Sequence, residues 1–173
     1  MSTSAQRAQT ASMVGIWVFV LSDAVGFAAL LTTMASLRLG SPGFATGTAT
    51  PALGMGLAAT GLLAFVSVCL VVARKKPGLV RVLVALAALA ALAFCGLQYF
   101  EYQSLLGPEM KLSTPALESF VVVTGYHLLH VFAGALALLW GLTQKPVPTG
   151  PLSVYWHFVD GLWLFIFVFF YLL

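Results

Sequence analysis

YWHFVDGLWLFIFVFFYLL, residues 155–173, is the stretch on which the reading of this chain turns. It is apolar enough to cross a bilayer, yet it opens with Trp156, His157 and Asp160. His157 and Asp160 stand at i,i+3 and Trp156 and Asp160 at i,i+4, so on a helix the three side chains are neighbours. An acid inside a membrane helix costs about 2.5–3.5 kcal/mol on insertion scales. A chain carries that cost where the residue faces other protein or a wet cavity, so this helix is expected to look inward.

Composition extends the same reading outward. The chain has 173 residues, 61% hydrophobic and 8% charged, with a mean hydropathy of +1.02. Soluble domains run at about 45–50% apolar and about 25% charged, so that class is excluded. A spanning helix needs about 20 apolar residues, and five such stretches fill the sequence. The expected fold is all-α: an integral membrane bundle of five transmembrane helices at 14–37, 52–73, 79–102, 117–142 and 152–173. Residues 1–173 then form a single membrane domain, with no room for an extramembrane one. The first apolar run is too long for a signal-peptide core and is expected to be retained.

The net charge of +3, from 8 Lys+Arg against 5 Asp+Glu, gathers at helix ends. That pattern encodes orientation and does not point to nucleic acid. Cys69 and Cys95 fall inside apolar stretches without C-x-x-C spacing, which argues against a disulfide framework or a thiolate metal site.

Along the chain, Asp23 lies well inside the first helix, with Ser22 and Gly26 as a small-xxx-small step beside it. A turn-rich, uncharged connection follows at 40–51. The second helix opens with Gly54, Gly56, Ala58, Thr60 and Gly61 and stops at Arg74-Lys75-Lys76-Pro77-Gly78. The third ends in Gln98, Tyr99, Glu101 and Tyr102, and the fourth carries Tyr126, His127, His130 and Gly134. Lys145 with Pro146, Pro148 and Pro151 makes a stiff link to the last helix. No internal repeat is evident.

The positive-inside rule sets the topology. The N-terminus, the 74–81 turn and the 143–151 link share one side, with Arg7, Arg74, Lys75, Lys76, Arg81 and Lys145. The other side has Arg38 and Lys111 beside Glu101, Glu109 and Glu118. The N-terminus is therefore expected in the cytoplasm and the C-terminus outside. At about 1.5 Å per residue, Asp23 and Asp160 lie at similar depth, roughly 12–14 Å from the inner helix ends. His127 and His130 come nearer the midplane and Gln98 and Glu101 nearer the outer face, a polar track spread over depth.

Acids and histidines in membranes recur in proton relays, and histidine exchanges protons most readily near neutral pH. The bland alternative is packing: His157 donates to Asp160 or to a carbonyl, since buried polar groups are paired in any protein. Packing is favoured for the last helix. For Asp23 the two readings balance, because Phe19, Val20, Gly26 and Phe27 around it satisfy nothing, so its partner must come from another helix, lipid or water. His127 and His130 at H-x-x-H spacing, with His157 and Asp160, offer a metal-site alternative that three histidines support poorly. The same scarcity excludes a haem or copper centre within this chain. Trp17, Trp140, Tyr155 and Tyr171 read as interfacial belt anchors, with Trp156 and Trp163 set apart from them.

Four motifs in order resemble one family. YWHFVDGLWLFIF (155–167) resembles the last helix of subunit III of the haem–copper oxidases, and TGYHLLHVFAG (124–134) its penultimate helix. Gln98, Glu101 and Tyr102 are similar to its Q-x-x-E-Y helix end, and WVFVLSDAVGFAA (17–29) to its S-E-x-x-x-F helix. The resemblance covers residues 13–173. It departs in starting at the third of the family's seven spans, in placing Asp23 where the family has a buried glutamate, and in lacking an Asn-Thr start to the second helix. The short form is similar to bacterial members, including those associated with nitric oxide reductase.

The resemblance implies an accessory, non-catalytic subunit of a respiratory terminal oxidase that supports aerobic electron transport, proton uptake and stability of the catalytic subunit. The haem and copper are then expected in that partner and none in this chain, with bound phospholipid in a cleft and a bacterial cytoplasmic membrane as location. Asp23, Glu101, His127, His130, His157 and Asp160 are its candidate proton-environment or polar packing residues. Trp156, Trp163, Gln98 and Tyr102 are candidate lipid or subunit contacts. A nitric oxide reductase as partner is the second reading. An autonomous transporter or proton channel is a third, from a different class, and predicts function without partners and repeated halves.

Overall fold

Five helices, each long and apolar enough to cross a membrane, make up the structure, a computed structural model that describes residues 3–41, 44, 51–107 and 114–173, with side chains from residue 13 on. The side chain of Arg7, the residues Glu109 and Lys111, and most of the 40–51 connection lie outside the described residues.

Helix α1 runs Thr3–Gly40, α2 Leu53–Lys75, α3 Val80–Leu106, α4 Pro115–Thr143 and α5 Thr149–Phe167. α5 continues into a last turn, Val168–Leu172, with π-type spacing. α1 starts ahead of its membrane-length part, Met13–Gly40, because Ala, Gln and Arg in the polar lead-in are good helix formers. α2 closes with Arg74 and Lys75 in its last turn, where cations meet the negative helix end. Pro77 then opens a single 3-10 turn, Pro77–Leu79, that leads into α3. Gly107, at φ 66, ends α3 in the left-handed region that glycine tolerates. Thr114 caps α4, its hydroxyl accepting the Leu117 N–H at 3.3 Å, with Pro115 in the first turn. α5 begins at Thr149, which puts Pro151 inside its first turn, where a missing N–H breaks no bond.

α2, α3, α4 and α5 close a ring in that order, α5 returning to α2, and α1 rests on the outside against α5 and α4. Lipid tails are as apolar as leucine, so close packing and hydrogen bonds hold such a bundle together more than burial does. Two glycines show how close that packing is. A Cβ on Gly56 would lie 2.6 Å from the Tyr171 ring, and one on Gly134 would lie 2.8 Å from Trp156 and Tyr155. Trp156, Trp163, Phe27, Phe94, Leu63 and Ile166 are completely or almost completely enclosed in the resulting core.

By chain position, Asp23 falls near the middle of the Met13–Gly40 span and Asp160 at the middle of Thr149–Leu172. His127 and His130 bracket the middle of Pro115–Thr143, while Glu101 sits near the end of Pro77–Leu106. Asp160 therefore lies as near the middle of its span as the histidines do, where the sequence placed it nearer the inner end. Which side chains meet is a separate matter.

Candidate functional site

Among the contacts of α1 with the bundle is one acid. Asp23 Oδ1 lies 3.0 Å from His130 Nε2 and accepts the Tyr126 hydroxyl at 3.1 Å, both from α4. The side chains are enclosed, Asp23 at 8% exposure and His130 at 13%. Of the partners open to Asp23 in the sequence, another helix supplies it.

The other ring nitrogen fixes where the protons are. His130 Nδ1 is 2.8 Å from the Tyr126 carbonyl, which can only accept, so Nδ1 carries a hydrogen. A neutral imidazole would then present a lone pair from Nε2 to Asp23. The Nε2–Oδ1 contact therefore needs one further proton, held as imidazolium against carboxylate or as carboxylic acid against imidazole. Either form leaves the pair neutral overall. Tyr155 on α5 locks the same turn by donating to the His130 carbonyl at 2.7 Å. Phe27 covers it, 4.7 Å from the Tyr126 ring and 5.3 Å from His130.

A second cluster closes the end where α3 and α5 finish. Glu101 is 3% exposed, and its Oε2 accepts from Tyr171 at 2.6 Å and from Gln98 at 3.0 Å. Beside it, the Thr124 hydroxyl donates to the Phe120 carbonyl, so the 2.8 Å contact with Tyr102 is a bond donated by the tyrosine. Arg38 of α1 holds this end from outside, donating to the Phe169 carbonyl at 3.2 Å and also to that of Leu173, with its guanidinium over the Phe169 ring.

Between the clusters lies His127, wholly buried, with Phe94, Trp163 and Phe27 at centroid distances of 5.8, 5.3 and 6.3 Å. Neither of its ring nitrogens has a hydrogen-bond partner among the described residues. Trp163 turns its own N–H away, to Thr60 at 2.9 Å. Among the described residues the polar track thus holds two networks with an aromatic box between them, and Asp160 belongs to neither.

The Trp156–His157–Asp160 group divides. Asp160 Oδ2 accepts from Ser67 of α2 at 2.9 Å; Trp156 is fully buried, and His157 is exposed. The expected His157–Asp160 bond is not formed, and α5 looks inward with Trp156 and outward with His157. The cause is helical geometry: the three positions span about 100°, enough to run from the core face to the rim. Trp156, Trp163 and Gln98, expected at lipid or a partner subunit, lie inside the bundle, while Tyr102 is half-buried. Tyr155 and Tyr171, expected in the interfacial belt, are bonded within the bundle; Trp17 and Trp140 are exposed. The three histidines occupy three different surroundings, and no group of three or more His, Cys, Asp or Glu among the described residues is placed to hold a metal ion. Ser67, Thr60, Thr124 and Arg38 were missed as site residues. A lone hydroxyl or cation carries no sequence signal until its helix has a known neighbour.

No family model matches the chain. It is 31% identical to the cytochrome bo(3) ubiquinol oxidase subunit 3 of Pseudomonas aeruginosa, over 92% of this chain and 83% of that protein. Against the cytochrome c oxidase subunit 3 of Alkalihalophilus pseudofirmus the identity is 29%, over 92% and 85%. The cytochrome c oxidase subunit 3 of Thermostichus vulcanus is 36% identical over 46% of this chain, and the chain spans 44% of its length.

Proposed function

The chain belongs to the subunit 3 family of the haem–copper oxidases, that of cytochrome c oxidase and cytochrome bo(3) ubiquinol oxidase, and on that premise we propose how it serves. It is an accessory subunit of a terminal oxidase, seated in the bacterial cytoplasmic membrane beside a catalytic subunit that carries the haem and copper. Its N-terminus faces the cytoplasm. Its own contribution is a buried, proton-holding polar pair near mid-bilayer that also fastens α1 to the bundle. The names of the relatives favour an oxidase as partner over a nitric oxide reductase.

One observation carries this reading: Asp23 Oδ1 of α1 stands 3.0 Å from His130 Nε2 of α4 in an enclosed contact. The aromatic box around His127 further favours an accessory role over an autonomous proton channel. A channel needs a continuous relay, and among the described residues no side-chain hydrogen bond passes through His127 from one network to the other.

Purification of the chain in mild detergent should bring haem absorbance with it; a haem-free chain that moves protons in liposomes would replace this reading with the channel. Within the purified oxidase, Asp23→Asn should leave assembly intact while slowing turnover or shortening active life, since the amide cannot hold the shared proton. Wild-type turnover and durability across pH would reduce Asp23 to a packing residue.

A further inference from the structure

The outer face of α5 carries a polar pair that the bundle covers only in part. His157 is exposed and Asp160 half-buried, and Asp160 stands at the middle of the Thr149–Leu172 span, whichever way the chain is inserted. The bond from Ser67 uses one of the several acceptor sites of the carboxylate. Acids and histidines in spanning helices almost always face protein or water-filled cavities, because hydrocarbon offers them no partner.

Directly beyond this pair the same face opens into an apolar groove. Gly161, Leu164, Phe165, Val168, Phe169 and Leu173 line a cavity of about 520 Å³. A Cβ on Gly161 would meet nothing within 4 Å, so the floor of the groove has room for a large side chain from elsewhere. Leu164 and Phe165 are 51% and 69% exposed.

We infer that this face of α5 is the seat of a transmembrane helix of the haem-bearing subunit, one that offers a hydrogen-bond donor to Asp160 and packs a bulky side chain over Gly161. The inference rests on the accessory-subunit reading above and adds to it the surface and the chemistry of the contact. Lipid tails would fill the groove but offer nothing to His157 or to the acceptor sites of Asp160 that Ser67 leaves free. A second copy related by a two-fold axis along the membrane normal would set Asp160 against Asp160 at equal depth, two acids with no donor between them. A different chain bearing a donor meets both requirements.

Site-specific photo-cross-linking in native membranes tests the surface. A benzophenone side chain at Leu164 or Val168 should capture the haem-bearing subunit, identified by its haem and its peptide masses. The same group at Leu89 or Phe100, exposed on α3, should not. Capture of that subunit only from α3, capture of a second copy of this chain, or cross-links to lipid alone would overturn the assignment. Gly161→Trp directs a bulky ring into the groove from a position where an added Cβ meets nothing within 4 Å, so the chain should keep its helicity yet lose at least tenfold in retention with haem through detergent washing. Equal loss from Leu89→Trp would count against the proposal. If the unaltered chain never copurifies with haem, the accessory-subunit reading fails first; if it copurifies but cross-links elsewhere, this surface alone is wrong.

Discussion

His127 and His130 stand three residues apart on α4 and live by opposite rules. The His130 ring is bonded through both nitrogens, to the Tyr126 carbonyl and to Asp23. The His127 ring is walled by aromatic rings and bonded through neither. Removing one member of a buried ion pair costs about 3–5 kcal/mol, because the other is left uncompensated. His130→Phe should therefore cost about 3 kcal/mol in reversible unfolding from mixed detergent micelles, allowing for the part that is already a neutral pair. His127→Phe exchanges one planar ring for another and sheds two unpaired nitrogens, so its cost should stay below about 1.5 kcal/mol. Equal losses at both positions would mean that the His127 ring has a polar partner. The sequence marks both histidines as candidates, since H-x-x-H in a spanning helix is conspicuous. It cannot separate them, because the difference lies in Asp23 on one neighbour and Trp163 on another.

At the scale of an element, α5 is positioned by its contact with α2. Tyr171 and Phe167 stack at 5.3 Å, and Tyr171 passes close over Gly56 to reach Glu101. A methyl group on Gly56 would meet the ring at 2.6 Å, whereas Gly54, one turn edge away, meets nothing within 4 Å. Overpacking a closed contact typically costs about 1–3 kcal/mol, while Gly→Ala at an open helical position gains up to about 1 kcal/mol. Gly56→Ala should thus destabilise the bundle and speed amide exchange over 168–172, and Gly54→Ala should do neither. If the two alanine variants behave alike, the Tyr171–Glu101 bond is not what holds the last turn of α5. The small residues opening α2 are visible in the sequence as a packing face, but which glycine lies under an aromatic ring depends on the rotation of α2 against α5. A single sequence leaves that rotation free. The same freedom explains α5 itself, where i,i+3 and i,i+4 spacing placed three side chains together and an arc of about 100° then parted them.

For the molecule as a whole, five hydropathic segments sufficed to give five spans, because the bilayer demands about 20 apolar residues of each and the chain has few others. Adjacency was not legible: that α1 lies outside a ring of four, and meets it in part through Asp23, depends on contacts between distant parts of the chain. Charge adds a constraint that the fold makes sharper. The α2–α3 turn and the α4–α5 link come together, with Arg81, Lys145, Pro77 and Pro146 around one cavity, so the cations of two connections share one end of the bundle. Arg38 is bound at the opposite end, to the carbonyls that finish α5. Cations within about 15–20 residues of span ends determine which side remains in the cytoplasm, and here those of two connections lie together. Lys76→Cys and Lys145→Cys should accordingly react with a membrane-impermeant maleimide only in inverted vesicles, while a cysteine at Arg38 should react only from outside. Labelling of Lys76→Cys and Lys145→Cys from opposite sides would contradict the fold, because the two connections meet. Labelling of both from outside would leave the fold intact and invert the chain. Neutralising Arg74, Lys75, Lys76 and Arg81 together should then scramble orientation, whereas neutralising Lys145 alone should not, since four charges of the cluster remain.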